Sequence, residues 1–208
     1  IKRNKLRTFL TGFAVAWGIF MLIVLLGAGN GLIHAFEQSA SERAMNSIKI
    51  FPGWTSKSYD GLKEGRRIRL DNKDLNTTNK NFPDHVIKAG ATVYQGGVNL
   101  SFGPEYVNLN LSGVYPNHTE VEVVKLFKGR FINEIDIKER RKVIVLHKKT
   151  AEILFDKTHT DPIGQFVNAG NVAYQVVGLY NDKGDSGDSD AYLPFTTLQT
   201  IYNKGDKL

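Results

Sequence analysis

The chain has 208 residues, of which 41% are hydrophobic and 23% are charged, and these ordinary proportions exclude an intrinsically disordered protein. It contains no cysteine, which excludes a disulfide scaffold, a thiolate metal site and a cysteine nucleophile. The formal net charge is +6, but four basic residues lie before residue 8, which leaves only +2 for the remainder and argues against a nucleic-acid partner.

The first element is an apolar segment, residues 8–28, without a charged side chain. As an α-helix it would extend about 30 Å, the thickness of the hydrocarbon core of a bilayer. Basic residues on the short side of a span favour a cytoplasmic N-terminus. We therefore predict a cytoplasmic segment over 1–7, a transmembrane helix over 8–28, and an extracytoplasmic remainder. The topology-determining residues would be Lys2, Arg3, Lys5 and Arg7.

Three other interpretations of this segment are weaker. A cleaved signal peptide has a shorter apolar region, although Gly27, Ala28 and Gly29 do form a weak cleavage-like pattern. A buried helix of a soluble protein is rarely apolar on every side over such a length. The glycines at 27, 29 and 31 do not have phosphate-loop spacing, and the chain contains no G-x-x-x-x-G-K-[ST] motif. Close packing between membrane helices explains these glycines better.

The helix is expected to continue beyond the membrane. Apolar residues recur at spacings of three or four, with polar residues between them, at Ile33, Phe36, Ala40, Ala44 and Ile48. This pattern predicts an amphipathic stalk helix over 29–47. Its apolar stripe would pack on the domain beyond, or the helix would link that domain mechanically to the membrane, and the two roles do not exclude each other.

Residues 48–125 combine polar loops with strand-like alternation. We predict a strand ended by a Pro-Gly pair, a second strand, and a helix capped by an aspartate; they lie at 47–51, 67–70 and 71–80. Further strands follow between 86 and 115. Within these strands Gly96-Gly97 predicts a bulge and Gly103-Pro104 a turn.

Residues 126–208 form the second part of the predicted domain. The run Val143-Ile144-Val145-Leu146 is apolar throughout, which predicts a strand buried on both faces. A helix over 150–155, a hairpin over 165–179 and a strand over 191–194 follow. Thr196 or Thr197 would cap a last helix. The fold class is therefore α+β with mixed or antiparallel sheets, in two subdomains over approximately 48–125 and 126–208.

No residue pattern in the chain indicates catalysis or a metal site. Four aspartates share a Gly/Ser-rich loop, but their spacing is not that of a calcium loop; they are Asp182, Asp185, Asp188 and Asp190. The five histidines lack paired zinc spacing; they are His34, His85, His118, His147 and His159. Glu120 and Glu122 alternate on a predicted strand without a base or nucleophile nearby. We predict no catalytic, cofactor-binding or metal-binding residue and no cofactor, and the residues that bind a substrate or partner are unknown.

A local basic run follows the first predicted strand. It consists of Lys63, Arg66, Arg67 and Arg69, is interrupted by Glu64, and has no interleaved aromatic residues. Such a pattern is more typical of a solvated loop and strand edge than of a binding patch.

The order of motifs resembles the MacB-like periplasmic core domain of ABC transporter permeases, the group that includes macrolide exporters, lipoprotein-release permeases and FtsX-type proteins. The resemblance covers nearly the whole chain but is weakest over residues 54–125. The matching residues are Asn4 to Thr11, the glycines at 27, 29 and 31, Gly129 to Ile132, Val143 to Leu146, Thr150-Ala151 with Ile153 to Phe155, Pro162 to Gly164, Tyr174 to Gly178, and Tyr192 to Pro194.

This resemblance implies a non-enzymatic permease subunit in the bacterial inner membrane, with a periplasmic domain. It implies a separate cytoplasmic ATPase subunit, a permease homo- or heterodimer, and a periplasmic or outer-membrane partner. It also implies three further membrane helices, so the chain is expected to be an N-terminal fragment. Two other classes stay open: a membrane-anchored binding or sensor domain without a transport role, and, less well supported, an anchored hydrolase.

Overall fold

The computed structural model describes residues 4–41, 47–122, 124–181 and 191–208, in two compact units, Ile1–Ser47 and Ile48–Leu208. Within the described part of the first unit, helix α1 covers Lys5–Ser41, about 55 Å of helix. Residues 5–36 form a stretch long and apolar enough to cross a membrane, and none of it is buried. The predicted N-terminal apolar helix is confirmed. Residues 42–46 of the predicted stalk lie outside the described residues.

The second unit is built around strands that form one sheet. The strands are β1 (Thr92–Phe102), β2 (Glu105–Val114), β3 (Leu126–Gly129), β4 (Val143–His147), β5 (Phe166–Ala169), β6 (Val172–Tyr180) and β7 (Ala191–Pro194). The helices are α2 (Asn72–Asn81), α3 (His118–Val121), α4 (Glu134–Lys138), α5 (Lys148–Phe155) and α6 (Phe195–Ile201), and a 3-10 turn at Asp156–Thr158 follows α5.

The sheet closes on itself. Its strand order is β3-β6-β4-β7-β2-β1-β5, and β5 also pairs with β6. The β1–β5 pairing is short, with Leu100 opposite Ala169 and Ser101 opposite Asn168. The pairs β2–β7 and β4–β6 are parallel and the other pairs are antiparallel. The result is a mixed sheet with helices, which confirms the predicted α+β class.

The main core lies between the sheet and the helices α5 and α6, which contribute Leu154 and Leu198 to it. Leu100, Leu111, Ile144 and Leu193 are among its fully buried members. A second, smaller cluster contains Val114, Phe131, Ile132, Val145 and Tyr180. Because side chains alternate along a strand, Ile144 joins one cluster and Val145 the other. The prediction that β4 is buried on both faces is confirmed.

Several local predictions are also confirmed. Asp71 caps α2 in a reciprocal capping box with Asp74. The β1–β2 register shifts between Gln95 and Val98, where the Gly96-Gly97 bulge was expected. Gly103 has φ +56 in the turn between these strands, and β5 and β6 form the expected hairpin.

Other local predictions were wrong. Residues 47–51 form no strand, and 67–70 contribute only an isolated bridge between Trp54 and Arg67. Neither segment joins the sheet, because strand-like composition alone does not make a strand. The predicted strand carrying Glu120 and Glu122 is instead the short helix α3 and its end.

The last helix was expected to be capped by a threonine, but α6 begins at Phe195 after Pro194. Thr196 and Thr197 instead donate their hydroxyls to the carbonyls of Ile137 and Arg141, at 2.6 and 3.0 Å. Both hydroxyls therefore tie α6 to the segment around α4. The division into two subdomains near residue 125 stays a prediction, although strands from both sides of it share this sheet.

The segment that leads into α2, residues 70–72, pairs with residues 206–208. The Leu208 amide donates to the Leu70 carbonyl and the Asn72 amide to the Asp206 carbonyl, each at 3.0 Å. Gln199 reinforces this pairing, because its amide nitrogen donates to the side chain of Asn72 and to the carbonyl of Lys207.

Candidate functional site

Two of the four predicted topology residues lie at the start of α1. Lys5 and Arg7 are exposed in the first turns of the helix, whereas Lys2 and Arg3 lie outside the described residues. Aromatic rings then follow one another along the helix, from Phe9 through Phe13 to Trp17, with centroids 6.4 and 5.9 Å apart. Exposed rings and aliphatic side chains on all faces would be unfavourable in water but suit a lipid environment.

The acidic and histidine candidates do not converge on a site. Asp182, Asp185, Asp188 and Asp190 lie outside the described residues. In the part of the chain that the structure describes, no group of three or more histidine and carboxylate side chains is placed to hold a metal ion. Glu120 pairs with Lys88 at 2.6 Å and Glu122 pairs with Lys49, so these two carboxylates form separate ion pairs.

His118 has an unusual environment for a histidine. Its ring lies 5.1 Å from that of Tyr192, next to the second core cluster. Burial disfavours the imidazolium and lowers the pKa of His118 to about 4; nearby Glu122 opposes this shift and Lys49 adds to it. His118 is therefore neutral at physiological pH and acts as a packed aromatic group.

The Gly-Arg-Phe motif at 129–131 proves to be structural. The Arg130 guanidinium donates to both carboxylate oxygens of Asp136, at 2.6 and 3.2 Å. Asp136 is 0% exposed and also accepts a 3.0 Å hydrogen bond from the Asn133 amide at the start of α4. Phe131 packs in the second core cluster. The motif therefore fixes the segment after β3 against α4.

Two glycines permit this arrangement. Gly129 has φ +77, and a Cβ there would lie 2.4 Å from the Val177 carbonyl oxygen. A Cβ at Gly178 would lie 2.1 Å from the Arg130 carbonyl oxygen. Only glycine allows the two backbones to approach so closely.

A shallow depression of about 650 Å³ lies beside β1, the β5–β6 turn and α6. Its lining includes Asn99, Asn171 and Tyr202 but no charged side chain. Amide and hydroxyl groups alone do not select a ligand class, so this depression identifies no substrate-binding residue.

A projecting hairpin is the feature that the sequence interpretation missed. Residues 53–69, which we call the arm, fold back at Asp60-Gly61, where both residues have positive φ. Tyr59 and Leu62 exchange two backbone hydrogen bonds across this turn, at 3.0 and 3.1 Å. An Asp-Gly pair at positive φ is a strong signal for a two-residue hairpin turn, and that signal was present in the sequence.

The arm forms hydrogen bonds only with itself among the described residues. Its limbs are joined by bonds from Thr55 to Arg66, from Gly65 to Thr55 and from Ile68 to Gly53. Every described arm residue except Thr55 is exposed. The hairpin also places Trp54 opposite Arg67, so the basic run does have an aromatic neighbour, supplied by the facing limb.

Comparisons with known proteins place the chain in a family. The model of the MacB-like periplasmic core domain matches residues 8–207. The chain is 26% identical over 202 residues to the macrolide export ATP-binding/permease protein MacB of Bartonella henselae and 27% identical over 206 residues to MacB 1/2 of Paracoccus denitrificans. These matches cover 96% and 97% of this chain but only 30% of each relative.

Two solved structures share the fold. The periplasmic region of MacB from Actinobacillus actinomycetemcomitans aligns with a TM-score of 0.64 at 24% identity, over 81% of this chain and 74% of that structure. The extracellular domain of the noncanonic ABC-type transporter YknZ from Gram-positive bacteria aligns with a TM-score of 0.57 at 24% identity, over 67% and 69%. Because the family model spans nearly all of its residues, the chain belongs to the MacB-like periplasmic core domain family.

Proposed function

We propose that the chain is part of the permease of an ABC transporter and supplies one membrane helix and an extracytoplasmic domain. One combined observation carries this proposal. The stretch of α1 over residues 5–36 is apolar and nowhere buried, and the family match covers both this helix and the domain after it. The domain would couple ATP-driven motion of the membrane helices to export, to lipoprotein handling or to activation of a periplasmic partner.

ATP binding would take place outside these residues. The 208 residues contain no phosphate-loop motif, and the relatives, whose names combine ATP-binding and permease, are matched over only 30% of their length. The ATPase is then either a separate cytoplasmic subunit or another region of the same polypeptide. In this assignment residues 1–208 are non-catalytic.

The proposed location is the bacterial inner membrane, with the N-terminus in the cytoplasm and residues 48–208 in the periplasm. The basic residues before the span support this orientation. A permease homo- or heterodimer and a periplasmic or outer-membrane partner complete the proposed assembly.

The test is purification of the full-length natural protein in mild detergent from its own host. We expect an ATP-binding region, in the same polypeptide or in a stoichiometric subunit, whose hydrolysis is lost when its phosphate-loop lysine is replaced. A protein that has no such region or subunit, and no further membrane span, would be a membrane-anchored sensor, and the transporter proposal would be wrong.

A further inference from the structure

The arm exposes aromatic side chains that have no packing role in the domain. Trp54 is 70% exposed and Tyr59 is 80% exposed. Tryptophan and tyrosine combine an apolar ring with a polar group, and they concentrate where a membrane meets water. Leu62 and Ile68 are exposed on the same hairpin and add aliphatic surface.

The arm also carries a positive charge that the domain does not neutralise. Its basic residues outnumber its acidic ones by five to two, and no ion pair joins the five to any described acidic side chain; they are Lys57, Lys63, Arg66, Arg67 and Arg69. Lysine and arginine side chains are attracted to an anionic lipid surface. A hairpin that combines cations with interfacial aromatic rings is complementary to such a surface.

The chain between the span and the arm is long enough to let the arm return to the bilayer. Helix α1 continues to Ser41, thirteen residues or about 20 Å beyond Ala28 at the end of the apolar segment, and the arm begins at Gly53, twelve residues after Ser41. The two limbs of the arm, residues 53–59 and 62–69, have seven and eight residues and are therefore about 25 Å long. Twelve residues of chain can extend about 40 Å, which is enough for the arm to reach the bilayer surface.

We propose that the arm binds the anionic lipid surface of the extracytoplasmic leaflet. Trp54 and Tyr59 enter the interface, and the arginines of the second limb lie near the lipid phosphates. The inference rests on the proposed membrane placement of α1. An acidic protein surface is the alternative partner for the same charges, and the experiment below distinguishes it from lipid.

The two tryptophans of the chain allow a direct test, because one lies in each region. Trp17→Phe leaves Trp54 as the only tryptophan, and Trp54→Phe leaves Trp17 within the apolar helix. The whole chain is reconstituted into bilayers of phosphatidylcholine, with or without phosphatidylglycerol. Quenching of tryptophan fluorescence by lipids brominated near the headgroup end of the acyl chain is then measured.

We expect quenching of Trp54 that is about twofold or more stronger with phosphatidylglycerol and that weakens with salt. The triple variant Arg66→Gln, Arg67→Gln, Arg69→Gln should lose this increase. A matched variant with the same change in charge outside the arm, Lys73→Gln, Lys80→Gln, Arg140→Gln, should keep it.

The two proposals fail in different ways. If Trp17 is not quenched by lipids brominated deep in the acyl chain, α1 does not span the bilayer and the proposed function is wrong. If Trp17 is quenched but Trp54 is not, or if Trp54 quenching ignores phosphatidylglycerol, the lipid-binding arm is wrong while the membrane placement stands.

Discussion

The Arg130 guanidinium meets the Asp136 carboxylate through two hydrogen bonds, and the carboxylate is entirely buried while the arginine side chain is 42% exposed. The pair is therefore asymmetric. Arginine can reach water if its partner is lost, but the carboxylate cannot. Because an uncompensated buried charge is costly, the arginine is the member on which the stability of this region depends.

Arg130→Met should lower the free energy of unfolding by about 3 kcal/mol, because the buried Asp136 carboxylate keeps only the Asn133 amide and the more distant Arg141 as partners. Urea unfolding in detergent, followed by near-ultraviolet circular dichroism, measures this change. The control is Arg141→Met: Arg141 lies 4.0 Å from Asp136 and pairs mainly with Glu139 at 2.8 Å. Equal losses for the two variants would contradict the assignment.

Gly178→Ala should destabilise the domain strongly, by about 3 kcal/mol or more, because the new Cβ would overlap the Arg130 carbonyl oxygen and force β3 away from β6. Gly170→Ala is the matched control. Gly170 also has a positive φ, +61, but a Cβ there would meet no atom within 4 Å, so only about 1 kcal/mol of backbone strain is expected. Thermal unfolding of both variants measures the two losses of stability. A loss at Gly178 no larger than that at Gly170 would show that β3 and β6 can move apart at little cost.

Stability should fall between pH 6.5 and pH 4 because of His118. The pKa of His118 is about 4 in the folded protein and about 6.5 when unfolded, so in this window the unfolded chain binds a proton that the folded chain does not. The contribution is about 1–3 kcal/mol, present above pH 6.5 and lost progressively as the pH falls to 4. His118→Gln should flatten this part of the stability profile, and an unchanged slope would contradict the burial of the ring.

Replacing Lys2, Arg3, Lys5 and Arg7 with glutamate should reverse the orientation of α1 in a large fraction of molecules. A periplasm-active phosphatase fused after Leu208 should then lose most of its activity. Reversal of four charges in the arm, more than 20 residues beyond the apolar segment of residues 8–28, supplies the control and should leave the activity unchanged. A phosphatase that is inactive even on the unmodified chain would refute the proposed orientation.

Local sequence signals predicted much of the domain. The apolar run at β4, the capping aspartate of α2 and the glycine turn between β1 and β2 each depend on a few neighbouring residues, and each was placed correctly. Thr196 was misassigned because its hydroxyl has a distant partner, the Ile137 carbonyl, that no local pattern reveals. The role of Arg130 was likewise not predictable, since its contribution to stability depends on the burial of Asp136.

The arm shows a different limit of prediction from the sequence. Its Asp-Gly turn was readable from the sequence, but its polar composition resembled that of an ordinary loop. The relation between Trp54 and Arg67, thirteen positions apart, exists only once the hairpin has formed. Family resemblance was no guide either, because it was weakest in this part of the chain.

The closed strand ring has a mechanical consequence. An open sheet has two edge strands, and strands can separate from it at either edge. In a closed ring each strand is hydrogen-bonded on both sides, so its displacement is resisted from both directions. The second unit should therefore transmit movement as a stiff body instead of absorbing it. Among the described residues its narrowest contact is that of β4 with β7, where one residue pair, Val145 and Tyr192, joins the two strands, and under load the ring should open there first.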